Sequence, residues 1–134
     1  MTDRVRVQAL AGGVLRIVAG AMFACHGAQK ILGVLAPPGH QPAVGSQLWI
    51  GGVIELVGGI LIALGLFTRP AALLASGTMA VAYVQFHWKL ALENWKFLPI
   101  VNGGELAVLY CFVFLVFALS GAGALSLDGR RGRG

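Results

Sequence analysis

Apolar residues fill this chain in long runs, and polar residues fall between the runs or at a few places inside them. The runs cover about residues 10–35, 48–67, 71–88 and 102–122. Each is near the ~20 residues that a helix needs to cross the hydrocarbon core of a bilayer. The pattern predicts four transmembrane helices. Pro37, Pro38, Gly39, Pro42 and Gly45 break any helix between the first two runs. Thr68-Arg69-Pro70 predicts a tight turn, with Thr68 capping the third helix and Pro70 in its first turn. Residues 89–99 carry Glu93, Trp95 and Lys96 and read as an interfacial segment.

Composition strengthens this reading. Of 134 residues, 57% are hydrophobic and only 11% are charged, whereas a soluble chain is about half apolar and a quarter charged. A single membrane domain over residues 1–134 is expected. A basic start before an apolar run also suits a signal sequence. The length of the run, the Arg16 inside it and the three runs that follow favour a membrane span.

The net charge of +5 is concentrated near the two ends of the chain, so nucleic acid is not an expected partner. With four spans, Arg4, Arg6, Arg69, Arg130, Arg131 and Arg133 share one side, and Lys30, Lys89 and Lys96 share the other. The positive-inside rule then places both termini and the basic tail 128–134 in the cytoplasm. Trp49, Trp88 and Trp95 fall at the outer interface, where an aromatic belt belongs. The expected fold is all-α: an integral membrane four-helix bundle with both termini inside.

Polar residues within the spans are the candidate chemistry, because such groups are costly in lipid and mark interiors or wet cavities. His26 and Lys30 are one turn apart on the first helix. Glu55 lies on the second, His87 ends the third, and Asn102 and Glu105 begin the fourth. All six fall in the outer half of the expected bundle. Gly13, Gly20 and Gly27 recur every seven residues, as do Gly51, Gly58 and Gly65, with Gly52 and Gly59 beside them. Small residues let helix backbones approach closely in lipid. Gly20, Gly27, Gly51, Gly52, Gly58 and Gly59 are therefore the expected contact between helices one and two, with Glu55 turned inward towards Lys30 or His26. Gly51-Gly52-Val-Ile-Glu55 and Gly103-Gly104-Glu105 echo one another, as two helical hairpins would.

At the cytoplasmic face, Arg16 and Asp128 are expected to form a structural ion pair. Cys25 and Cys111 lie at matched depths, but cysteine more often packs as a small hydrophobe than as a redox pair. The spacing supports neither a metal site nor a disulfide framework.

From about Val14 to Asp128 the sequence resembles the DoxX family of small membrane proteins. The resemblance rests on Arg16, Gly20, Phe23, His26-Gly27 and Lys30, then Gly52, Glu55, Gly58-Gly59, Leu64-Gly65 and the Thr68-Arg69-Pro70 turn. It ends with Gly104-Glu105 and Gly121-Ala-Gly-Ala-Leu-Ser-Leu-Asp128. It implies a four-helix bundle in the bacterial inner membrane. Through the related thiosulfate:quinone oxidoreductase subunit, it also implies quinone-linked redox work beside a protein partner.

Three functional readings follow. In the first, the chain is a subunit of a respiratory-type redox complex, not a complete enzyme, and the outer cluster binds a quinone or other apolar small molecule. In that reading His26, His87 or Lys30 would donate to a quinone carbonyl, and Glu55 or Glu105 would take a proton. No covalently held cofactor is expected, since there is no haem or iron–sulfur ligand set. In the second, the charges only hold the bundle of an accessory or assembly subunit. In the third, the same cluster lines the path of a transporter or lipid-binding protein. The lipid bilayer is the common partner, joined by another membrane or redox protein or by further copies of the chain.

Overall fold

The computed structural model describes residues 2–132. Arg133, counted above in the basic tail, lies outside the described residues. Those residues form helices and connecting loops, with no strand among them. Helix α1 runs from Asp3–Ile31 and α2 from Gln47–Leu64. Helix α3 spans Thr68–Ala82 and continues through a π-helical turn, Tyr83–Trp88. A short 3-10 turn, Glu93–Trp95, and helix α4, Pro99–Asn102, lead to α5, Glu105–Ser120, and a last short helix, α6, Leu127–Arg130.

Two helices, α1 and α2, are long and apolar enough to cross a membrane; α5 is apolar but has only 16 residues. The fourth apolar run is divided because Gly103 adopts φ 74° and separates α4 from α5. Large apolar side chains such as Leu73, Leu109, Phe112 and Leu119 are exposed around the molecule. A soluble monomer rarely shows contiguous apolar surface on this scale, whereas lipid tails would cover it.

Helix α1 packs along α2, and α3 packs along α5. The α1–α2 contact is made backbone to backbone. A Cβ on Gly20 would stand 2.5 Å from the amide nitrogen of Ala63. Gly27 and Gly59 are equally confined, against Leu56 and Ala24. Gly52 faces the Lys30 stem, with 2.8 Å from a Cβ to that side chain. Gly51 and Gly58 depart from the expected stripe: neither has a neighbour within 4 Å of a Cβ. Each stands one residue from a packed glycine, and a step of one residue turns about 100° around a helix. Between the two helix pairs sit Phe23, Tyr110 and Phe114, with ring centroids 4.7–5.4 Å apart.

Arg16 and Asp128 do not form the expected ion pair. Arg16 is fully buried. Its guanidinium donates to the carbonyls of Ile62 and Ala63 at 2.6 Å, Ala122 and Leu125 at 2.8 Å, and Ala124 at 3.2 Å. Ile62 and Ala63 belong to the last turn of α2, where carbonyls lack helical partners and carry the negative end of the dipole. A five-donor fork suits that site. Asp128 serves the opposite kind of helix end. Its carboxylate accepts from the backbone amides of Phe67 at 3.0 Å and Thr68 at 2.9 Å. Asp128 thus caps α3 from sixty residues away, a role expected of the Thr68 side chain. Phe67, in a left-handed conformation at φ 49°, turns both amides towards it. Burial acts to raise the Asp128 pKa, but the Thr68 and Phe67 amides and the Arg131 charge outweigh it and hold the carboxyl below its ordinary value.

Candidate functional site

The inward polar residues gather where two helices depart from α geometry. Residues Ile54–Gly58 of α2 form a π-helical turn that contains Glu55. The turn Tyr83–Trp88, which extends α3, is also π-helical and contains His87. A π turn inserts an extra residue and re-aims the side chains around it, and such turns recur at functional sites.

Glu55 is buried, and Lys30 Nζ donates to both of its oxygens at 2.7 Å. The Gly52 contact lets the Lys30 stem lie flat across α2 and reach the carboxylate. The pair is asymmetric: the Lys30 side chain is 33% exposed and that of Glu55 only 5%. One face of this pair borders a cavity of about 240 Å³, lined also by Phe23, His26, His87, Leu106, Ala107 and Tyr110. The His26 and Tyr110 rings meet edge to face, with centroids 6.1 Å apart and planes at 88°. His87 stacks on Tyr83 at 6.4 Å. Neither histidine ring makes a hydrogen bond with the described residues.

Tyr110 is the residue that the sequence reading missed as a site member. It is 6% exposed, and its hydroxyl has no hydrogen-bond partner among the described residues. A buried hydroxyl without a partner is costly, so this oxygen is an unsatisfied donor and acceptor on a residue that lines the cavity. A tyrosine among the phenylalanines of an apolar helix was the available signal, because a buried tyrosine usually finds a partner for its oxygen.

Two expected members stand elsewhere. Asn102 fixes the corner before α5: its side chain donates to the Tyr83 hydroxyl and the Lys96 carbonyl at 2.9 Å and accepts from the Gly104 amide at 2.8 Å. Glu105 is exposed in the first turn of α5 and does not line the cavity. Ala107 and Tyr110 are buried on the inner face of that helix, Leu106 reaches the cavity from a more exposed position, and a carboxylate in a first turn complements the helix dipole. Cys25 is exposed, and Cys111 lies beside Ser76, which donates to its carbonyl at 2.7 Å; both thiols are free.

The sequence model of the DoxX family matches residues 13–88, more than half of the chain and all of α1, α2 and α3 from Gly13 onward. The chain belongs to the DoxX family. An uncharacterised protein of Haemophilus influenzae is 50% identical over 118 residues, covering 87% of each chain. A Bacillus subtilis protein provisionally named the oxidoreductase CatD is 28% identical over 118 residues, covering 86% of this chain and 82% of its own. No solved structure matches. Family membership and the two long apolar helices make this DoxX protein a membrane protein.

The DoxX match includes His26, Lys30, Glu55 and His87 and ends before Tyr110. Chemically, the cavity is lined by a mutually neutralising ion pair, two imidazoles able to donate or accept, and a tyrosine whose buried hydroxyl has no partner among the described residues. Aromatic and apolar side chains form the rest of the wall.

Proposed function

We propose that this DoxX protein is an integral membrane subunit of a redox-type complex and binds a neutral, lipid-soluble molecule of the quinone class. Its headgroup would sit in the cavity between His26, Lys30, Glu55, His87 and Tyr110. The observation that carries this reading is the unpartnered Tyr110 hydroxyl, buried beside a charge pair that already neutralises itself. An anionic or cationic ligand would find no free counter-charge there. A flat ring bearing carbonyl oxygens would find the Tyr110 donor, an imidazole donor and the Phe23 wall. A bound quinone would supply two-electron, two-proton chemistry. Of this chain's own groups, His26 and His87 would face the ring as hydrogen-bonding imidazoles, and Lys30 holds both carboxylate oxygens of Glu55. The provisional oxidoreductase name of the Bacillus subtilis relative agrees with a redox setting.

In the arrangement proposed here, α1, α2, α3 with its π turn, and α5 cross the bacterial inner membrane as a four-helix bundle. Arg4, Arg6, Arg69, Arg130 and Arg131 lie at one end of the bundle and Lys89 and Lys96 at the other, which supports cytoplasmic termini. A redox protein partner would complete the complex.

Purification in mild detergent, with mass spectrometry of co-purifying proteins and extracted small molecules, tests this directly. A retained quinone, lost in Glu55→Gln protein that still assembles, is the expected result. A second reading has its own observation: both oxygens of Glu55 are engaged by Lys30, as in a purely architectural pair. Recovery of another membrane complex without any bound small molecule would favour that accessory role.

A further inference from the structure

We infer that the long groove between α2 and α3 holds the apolar chain of the same ligand, which therefore enters sideways from the lipid. This rests on the headgroup reading above and adds the class of ligand: an amphiphile with an extended apolar tail, as opposed to a small water-soluble molecule.

The groove has a volume of about 620 Å³. Its lining on α3 and the following turn extends from Pro70 to Phe86, about 24 Å at the helical rise. A space this long along one helix suits a chain better than a compact ring. Among the described residues, its only charged lining groups are Lys30 and Glu55, which also line the headgroup cavity, together with Met79 and Ala82. The two spaces therefore meet at the ion pair. The other end of the groove carries Leu73 and Leu74, which are 61% and 57% exposed and face what lipid would cover. Near Lys30, a hydrogen bond from Gln47 to Gln85 ties α2 to the turn after α3.

Two glycines keep the groove wide. Gly51 on α2 and Gly77 on α3 both line it, and neither would bring a Cβ within 4 Å of any neighbour. Glycine inside a helix is unfavourable, and here close packing does not require it. Room for an occupant gives both positions a purpose. Tyr110, whose buried hydroxyl has no partner among the described residues, lines the adjoining cavity and gives a second sign of a ligand beside the groove.

The test uses the full chain in lipid nanodiscs and two probes: a benzoquinone with one isoprene unit, and the same ring with a long isoprenoid tail bearing a diazirine. Irradiation should attach the tail to Ile50, Leu73 or Leu74, with excess unlabelled long-tailed quinone suppressing the adducts. Gly77→Leu, and separately Gly51→Leu, should weaken the long-tailed probe at least tenfold relative to the one-unit probe. Adducts spread over the outer face of α5, or equal effects on both probes, would overturn the groove assignment while leaving the headgroup site standing. Failure of the wild-type chain to bind either probe would remove the headgroup reading and this inference together.

Discussion

Lys30 Nζ lies 2.7 Å from each carboxylate oxygen of Glu55, and the two residues reach one another across a contact that only glycine allows. The pair joins α1 to α2 and forms the boundary between the small cavity and the long groove. Replacing Lys30 with methionine strands a buried carboxylate, and replacing Glu55 with glutamine strands an ammonium that is one third exposed. Breaking a buried pair is costly because of the charge left behind, and exposure of the Lys30 end moderates this. Each single change should cost about 1–3 kcal/mol, and the double mutant should recover part of it. Unfolding of the four proteins of this cycle in mixed micelles measures the coupling; additive losses would show that the pair is not a unit.

Tyr110→Phe separates a ligand site from mere packing. The change removes a buried hydroxyl that has no partner among the described residues and keeps the ring against Phe23 and Phe114. Without ligand, the variant should be more stable by about 1 kcal/mol, the lower end of the cost of an unsatisfied buried group. With a quinone probe present it should bind more weakly than the wild type, so the stability order of the two proteins reverses. A variant that is less stable without ligand would mean that the hydroxyl already has a partner.

The meeting of Lys30 and Glu55 is legible in the sequence because both stand in apolar helices and Glu55 has small residues a turn away. What the sequence conveys is depth along a helix. Direction around the helix is harder to read, and the departures follow from that. Gly51 and Gly58 lie at the right height but about 100° from the contact made by Gly52 and Gly59. Glu105 starts α5 at the right level and points outward. Helix α5 is apolar on every side, so no period singles out the face that carries Tyr110. The π turns at Glu55 and His87 leave no recognisable pattern in the chain. Arg16 and Asp128 look like partners because their signs are opposite and both approach one end of the bundle. Their true partners are helix-end carbonyls and amides, which no residue letter displays.

Arg16 organises that end through geometry as much as charge. It satisfies five carbonyls from α2 and from the segment 122–125 that follows α5. Lysine keeps the charge but lacks the planar fork. Arg16→Lys should therefore destabilise the protein by about 3 kcal/mol, the order expected for losing several charge-assisted hydrogen bonds. The looser end should also open the α2–α3 turn, so a cysteine placed at Leu66 would label faster than in the Arg16 protein. Wild-type stability in Arg16→Lys would mean that charge alone holds this end.

Glycines one residue apart should respond in opposite directions. Gly59→Ala drives a methyl group into the backbone of α1 at Ala24, so the helices must separate; a cost of about 2 kcal/mol, within the range for overpacking, is expected. Gly58→Ala meets nothing within 4 Å and gains helix propensity. It should stabilise by up to about 1 kcal/mol. Thermal unfolding in detergent reads both, and a matching loss in the two variants would contradict the contact assigned to Gly59.

Asp128 gives the cytoplasmic end of the proposed bundle an acid limit. Its carboxyl pKa is held below the ordinary value in the folded protein, chiefly because the Thr68 and Phe67 amides prefer the ionised form strongly enough to outweigh burial. The unfolded chain titrates at its ordinary value, about 3.9. Above that pH both states are ionised and the cap contributes its full stabilisation. Below it the unfolded chain takes up the proton first, and the contribution shrinks until the folded carboxyl is protonated as well. Asp128→Asn should cost about 1 kcal/mol at neutral pH, the usual scale for a helix cap. It should also flatten the fall in stability below about pH 4, since that residue no longer titrates. Unfolding followed between pH 7 and the acid limit in both proteins checks the two effects together. If the acid slope survives the substitution unchanged, the acid sensitivity belongs to other carboxyl groups.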